Sequence, residues 1–153
     1  DAPATTLPQP SGEVLGPLFD AYFKLKDALV SSNASDAQAQ AKALEAAVTN
    51  VKMEALETTV HTAWMKGMEP ISNTVAVIAG TSDLDEQRKA FAELTEPMFA
   101  LVKARPGSTP IYLDHCPMYE GGADWLSRDK AIRNPFYGAQ MMSCGSVKET
   151  IVK

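Results

Sequence analysis

The sequence predicts a mainly α fold: a four-helix antiparallel bundle closed by an irregular, turn-rich C-terminal cap that has room for two short strands. Three observations predict it. Apolar residues recur at helical spacing in four successive segments. Most of those segments carry a recognisable start or stop signal. After Arg105, nine prolines and glycines crowd the stretch from Pro106 to Gly145, which excludes long helices there.

The first helix is expected from Gly12 to Val30, with Leu15, Leu18, Phe19, Tyr22, Phe23 and Leu29 on its apolar face. A turn follows at Ser31 to Ala34. Ser35 with Gln38 makes a capping box that opens an Ala-rich second helix, running to Val51 with Leu44, Val48 and Val51 as its stripe. The third helix carries Leu56, Val60, Trp64, Met68, Ile71, Val75 and Ile78. Pro70 is expected to kink or split it, and Gly80 to end it. Asp83 with Glu86 caps the fourth helix. Its seam of Leu84, Gln87, Phe91, Leu94, Met98 and Leu101 approaches a heptad, interrupted by Pro97. Short links between amphipathic helices favour antiparallel neighbours. In the cap, Ile111 to Leu113 and Ser146 to Val152 read as strands. Arg88 and Arg133 read as anchors that tie the cap down through backbone carbonyls.

The domain reading is a tether over 1–11 followed by one helical domain over 12–153, with the bundle over 12–105 and the cap over 106–153. The tether holds Pro3, Pro8 and Pro10 among Ala and Thr and offers no core residues. A chain of 153 residues buries roughly two-thirds of its unfolded surface, enough for an unaided core. The net charge of -5 argues against a nucleic-acid partner and against docking on anionic lipid. No apolar run reaches the roughly 18 residues of a membrane span, so no membrane insertion is expected. The first residue is Asp1, so the expectation is a processed or trimmed chain; a removed signal peptide or lipid anchor fits, and neither is visible.

The unusual chemistry lies in the cap. His115, Cys116 and Met118 fall within four residues, and Met141, Met142 and Cys144 within another four. The arms mirror each other as Cys-Pro-Met and Met-Ser-Cys. On extended backbone, residues i and i+2 share a side, so each arm is expected to present a thiol and a thioether together. Facing each other, they would form a sulfur-rich pocket for a soft ion, above all Cu(I), since soft ligands select soft ions. Cys116, Met118, Met142 and Cys144 are the candidate ligands, with His115 or His61 supplementary. His61 shares a helix face with Met65 and Met68. Zinc fits poorly, because its structural sites use Cys or His and rarely Met.

Two blander readings stand beside this one. Cys116 and Cys144 make a plain disulfide in an oxidising compartment, closing a loop of about 29 residues worth roughly 3–4 kcal/mol, with the methionines as filler and no cofactor, or they stay free buried thiols. His61, Met65 and Met68 make an ordinary core stripe. Trp125, Phe136 and Tyr137 either line a ligand pocket or cap the open end of the bundle. A thiol enzyme has thin support, because His115 is adjacent to Cys116 and poorly placed as its base. No phosphate loop, HExxH or GxSxG is present, and no enzymatic activity is expected.

Several strings also resemble a known family. They are His115-Cys116-Pro117-Met118, Gly122 to Ser127 (Gly-Ala-Asp-Trp-Leu-Ser), Ile132 to Gly138 (Ile-Arg-Asn-Pro-Phe-Tyr-Gly) and Met142-Ser143-Cys144-Gly145. Gln87 to Phe91 and Tyr22 to Leu29 add helical segments. Together they resemble the DUF3347 family. Tyr119 departs from it, standing where Ala is expected after Cys-Pro-Met. The resemblance implies an exported bacterial domain of unknown function, found with adaptor subunits of copper/silver-type heavy-metal efflux systems. It therefore implies a periplasmic, metal-linked role, with a metal ion and an efflux adaptor protein as partners.

Overall fold

The computed structural model describes residues 14–153. The expected tether over 1–11 and the expected helix start at Gly12 lie outside the described residues. The fold is mainly helical, with four long α-helices followed by a small three-stranded sheet. Among the described residues, no helix is long and apolar enough to cross a membrane.

Helix α1 (Gly16–Val30) starts with a proline in its first turn, where the missing N–H costs nothing. Helix α2 (Ala34–Thr49) starts earlier than the Ser35 signal suggests. Asn33, in extended backbone, accepts the amide of Asp36 at 2.9 Å and is the true cap. Gln38 reaches instead for the carbonyl of Ala79, tying α2 to the end of the third helix.

Helix α3 (Thr58–Ala79) contains Pro70 and is not split. Pro70 and Lys66 both lie on the exposed side, where water can take the carbonyl that Pro70 leaves free. Helix α4 (Leu84–Ala104) likewise runs through Pro97. Asp83 caps it as expected, accepting the amides of Asp85 and Glu86. Pro97 packs where α3 carries Gly67: a Cβ added to Gly67 would stand 3.3 Å from the Cβ of Pro97. A small residue on one helix thus receives the ring on the other. Each helix packs chiefly on its neighbour in sequence, α1 on α2, α2 on α3 and α3 on α4.

The C-terminal third is more regular than the density of turn formers implies. Strand β1 (Ile111–Cys116) extends past Leu113 to include His115 and Cys116. Strand β2 (Ala123–Ser127) has no counterpart in the expected pair. Strand β3 (Ser146–Ile151) is where the parity of Val147 and Ile151 places it. The sheet is antiparallel with order β2-β1-β3. A register shift between Leu113 and Asp114 bends β1 against β3.

One apolar cluster joins helices and sheet. Tyr22, Trp64, Phe91, Trp125 and Phe136 are its largest fully buried side chains. A polar relay crosses it. The Leu126 amide donates to the Tyr22 hydroxyl at 3.0 Å, which donates to Thr95 Oγ1 at 2.8 Å, which donates to the Phe91 carbonyl at 3.1 Å. Strand β2 is thereby pinned to α1 and α4 by groups that would otherwise be buried unpaired.

Candidate soft-metal site

Cys116 closes β1, opposite Ala123 of β2, and is fully buried. Cys144 lies in the loop before β3 and is half-buried. Both thiols are unbonded, and they lie close enough for Cys116 to act on the Cys144 thiol. Desolvation, then the neighbouring Cys116, push the Cys144 thiol above its ordinary pKa. Two local features create this meeting. Gly145 has φ 134°, and a Cβ there would come within 2.8 Å of the His115 carbonyl oxygen. Only glycine lets this loop press so closely on β1. On the other side, Asn134 holds the loop: its side-chain amide donates to the Cys144 carbonyl at 2.8 Å, and its backbone amide to the Met142 carbonyl at 2.8 Å.

The mirrored-arm geometry does not hold. Cys116 is in a strand, but Met118 has helical backbone and leads into the 3-10 turn Tyr119–Gly121. Met118 is 61% exposed while Cys116 is buried, so strand alternation does not pair them. On the second arm the Cys144 amide donates to the Met141 carbonyl at 3.0 Å, closing a tight turn around Met142 and Ser143. Met142 is half-buried there.

His115 is not beside Cys116 either. Successive strand residues point to opposite faces, and His115 shares its face with Asp124, directly opposite on β2. His115 Nδ1 donates to Asp124 Oδ1 at 2.6 Å, and Lys148 Nζ bonds Asp124 Oδ2 at 3.1 Å. His61 lies in the second turn of α3, near Glu57, which pairs with Arg105 just past the end of α4. Met65 is exposed and Met68 packs partly against the core, as an ordinary helix stripe does. Among the described residues, no three His, Cys, Asp or Glu side chains are grouped to hold a metal ion. A site here must rest on the two cysteine sulfurs and on methionine.

The aromatic residues of the cap are structural. Trp125 meets Phe136 edge-on at 5.9 Å. Tyr119 stacks on Phe136 at 4.6 Å and meets Tyr137 edge-on at 5.8 Å. The tyrosine after Cys-Pro-Met therefore backs the turn with packed rings. Arg88 anchors the cap as expected, donating from Nε to the Pro135 carbonyl at 2.7 Å and from Nη2 to the Leu29 carbonyl at 2.9 Å. Arg133 does not: it is exposed, and its neighbour Asn134 does the tying instead.

Sequence reasoning missed a second interior feature. Asp114 is fully buried, and neither carboxylate oxygen has a hydrogen-bond partner. Trp125 stands opposite it on β2 with its indole N–H also unpartnered. Burial raises the Asp114 carboxyl to about 7, against the pull of nearby Lys26. Its one sequence signal is an acidic residue inside the otherwise strand-like run Ile111-Tyr112-Leu113-Asp114-His115-Cys116.

Comparison with known proteins finds one family over the helical part of the chain. A family model described as a protein of unknown function, DUF3347, matches residues 18–109. The matched span covers most of α1 and all of α2, α3 and α4, and ends before β1, so both thiols lie beyond it. No curated protein and no solved structure matches the chain.

Proposed function

The chain belongs to the DUF3347 family of proteins of unknown function, and on that premise we propose that it is a soft-metal binding module, taking Cu(I) or Ag(I) between Cys116 and Cys144. The observation that carries this reading is the nearness of two unbonded thiols, one at the end of β1 and one in the loop that Gly145 presses against β1. The donor set supports the choice of ion. Two thiolates balance a monovalent d10 ion without a third anionic group. Zinc wants four N, S or O donors, and among the described residues no His, Asp or Glu joins the pair. Met142 is half-buried in the Cys144 turn, and Met118 offers an exposed sulfur two residues past Cys116. His115 and His61 have no part in this set.

In this reading the four helices form an antiparallel bundle whose work is to hold the cap. The module buffers metal, or hands it to a heavy-metal efflux adaptor, in a periplasmic or otherwise exported setting, and is not an enzyme. Binding displaces thiol protons, so affinity falls as pH drops.

An anaerobic Cu(I) titration against a competing chelator tests the reading. The reduced protein is expected to bind one Cu(I), far more tightly than Zn(II). Replacing both cysteines by serine should abolish tight binding. Met142→Leu, which roughly conserves volume, should weaken it with little change in fold. A serine double variant that binds as tightly as the parent would overturn the assignment. A protein purified with no free thiols until reduction would point instead to a disulfide-closed interaction domain.

A further inference from the structure

We infer that Asn134 is the positioning residue of the thiol pair, holding the Met141–Cys144 turn so that Cys144 stays within reach of Cys116. The inference deepens the proposed metal site and rests on the reading that the two thiols act together.

Asn134 is fully buried, and every polar group of its side chain is engaged. Its amide nitrogen donates to the Cys144 carbonyl at 2.8 Å. Its Oδ1 accepts the amides of Phe136 at 2.7 Å and Tyr137 at 3.2 Å. Its own backbone amide donates to the Met142 carbonyl at 2.8 Å. One residue thus grips the turn on both sides of exposed Ser143. Its other side is fastened to the segment that begins at Pro135. That segment is itself fixed, because the Arg88 guanidinium from α4 donates to the Pro135 carbonyl. A continuous chain of bonds runs from a helix in the core, through Pro135 and Asn134, to the backbone of Cys144.

What remains without Asn134 is weaker. The Cys144 amide keeps its local bond to Met141, Gly145 keeps its approach to β1, and β3 keeps its pairing with β1 from Ser146 onward. These hold the end of the turn that runs into β3, and none of them ties the Met142–Cys144 stretch to the helices. Turn-rich backbone left untied regains conformational freedom. The loss would appear as a lower effective concentration of Cys144 at Cys116.

That quantity can be read without metal. In equilibrium exchange, two protein thiols reduce one small-molecule disulfide to two thiols, and the protein sulfurs are oxidised to a disulfide. Asn134→Asp is the decisive variant. It keeps an acceptor for the Phe136 and Tyr137 amides, takes away the amide donor to the Cys144 carbonyl and adds an ionisable carboxyl, so Asn134→Ser, which adds no charge, is read beside it. The exchange constant of the folded variant, checked by near-UV circular dichroism, is expected to fall at least tenfold. Val75→Ala, in the buried face of α3, serves as a general destabilisation control and should leave the constant within twofold. If Asn134→Asp does not reach the native state, Asn134→Ser alone is read by the same criterion. A constant that falls no further than in the control overturns the inference. Cu(I) affinity measured on the same proteins separates the two claims. A fall in both supports positioning of a metal site. A fall in exchange alone upholds the role of Asn134 and defeats the metal reading.

Discussion

Asp114 carries a carboxyl that solvent does not reach and no donor meets. Its pKa rises from an ordinary 3.8 to about 7 because burial penalises the charged form. The folded state therefore holds a proton that the unfolded chain releases. Stability from the neutral carboxyl is fully present below pH 4 and lost as pH rises through about 7. The cost at alkaline pH is on the order of 4 kcal/mol. Asp114→Asn is expected to melt higher than the parent at pH 8 and close to it at pH 4. Thermal melts across that range check it, and a difference independent of pH would refute the account. The two arginines make a second test at this scale. Arg88→Ala leaves the Leu29 and Pro135 carbonyls without their buried donor and should cost roughly 2–4 kcal/mol in denaturant unfolding. Arg133→Ala should stay within about 0.5 kcal/mol of the parent, since it is an exposed residue. The two residue types are identical in the sequence. Only the packing of the cap against the start of α4 separates an anchor from a surface charge.

At the scale of elements, helices were legible because each buries one continuous stripe, and period 3.6 survives almost any local detail. Pro70 and Pro97 look like breaks in the sequence, yet solvent on one side and the notch at Gly67 on the other absorb them. The sheet was legible only in part. Strand β2 follows Gly121-Gly122 and includes Asp124 and Ser127, which have little strand preference of their own. It forms because β1 offers it a register and because Tyr22, from α1, accepts the Leu126 amide. The thiol pair shows the same division. The two cysteines stand out in the sequence, and their meeting was expected. The expected route, two extended arms, was not the one used. A turn tied by Asn134 and a close approach at Gly145 do the work, and both depend on neighbours that a linear pattern does not contain. Tyr22→Phe tests how far the sheet depends on the helices. It strips the partner from a buried amide and from Thr95, and should destabilise by roughly 1–3 kcal/mol. Hydrogen exchange should quicken more in β2 than in α3. Equal quickening everywhere would mean that the relay is not what pins the strand.

At the scale of the whole molecule, the span shared with the family and the span that buries the core do not coincide. The family match ends at residue 109, whereas the apolar cluster continues into Leu113, Cys116, Trp125, Leu126, Phe136 and Ile151. Removing residues 110–153 would expose the Phe91 ring that Phe136 approaches at 6.3 Å. It would leave the Arg88 guanidinium with the Leu29 carbonyl and Ser32 but without Pro135. It would also take the Leu126 amide from Tyr22. The helices themselves would keep their caps at Asn33 and Asp83 and most of their contacts with one another. Local helical structure should therefore survive while specific packing does not, the signature of a molten state. A fragment covering 14–109 is expected to show strong far-UV helix signal, a lost near-UV signal from Trp64 and the core tyrosine, and a broad, weakly cooperative melt. The full chain should melt in one transition followed alike by both signals. A fragment that retains a sharp transition and its near-UV bands would show that the helices hold a complete core of their own. The sheet with its thiols would then be an attachment rather than part of the folding unit.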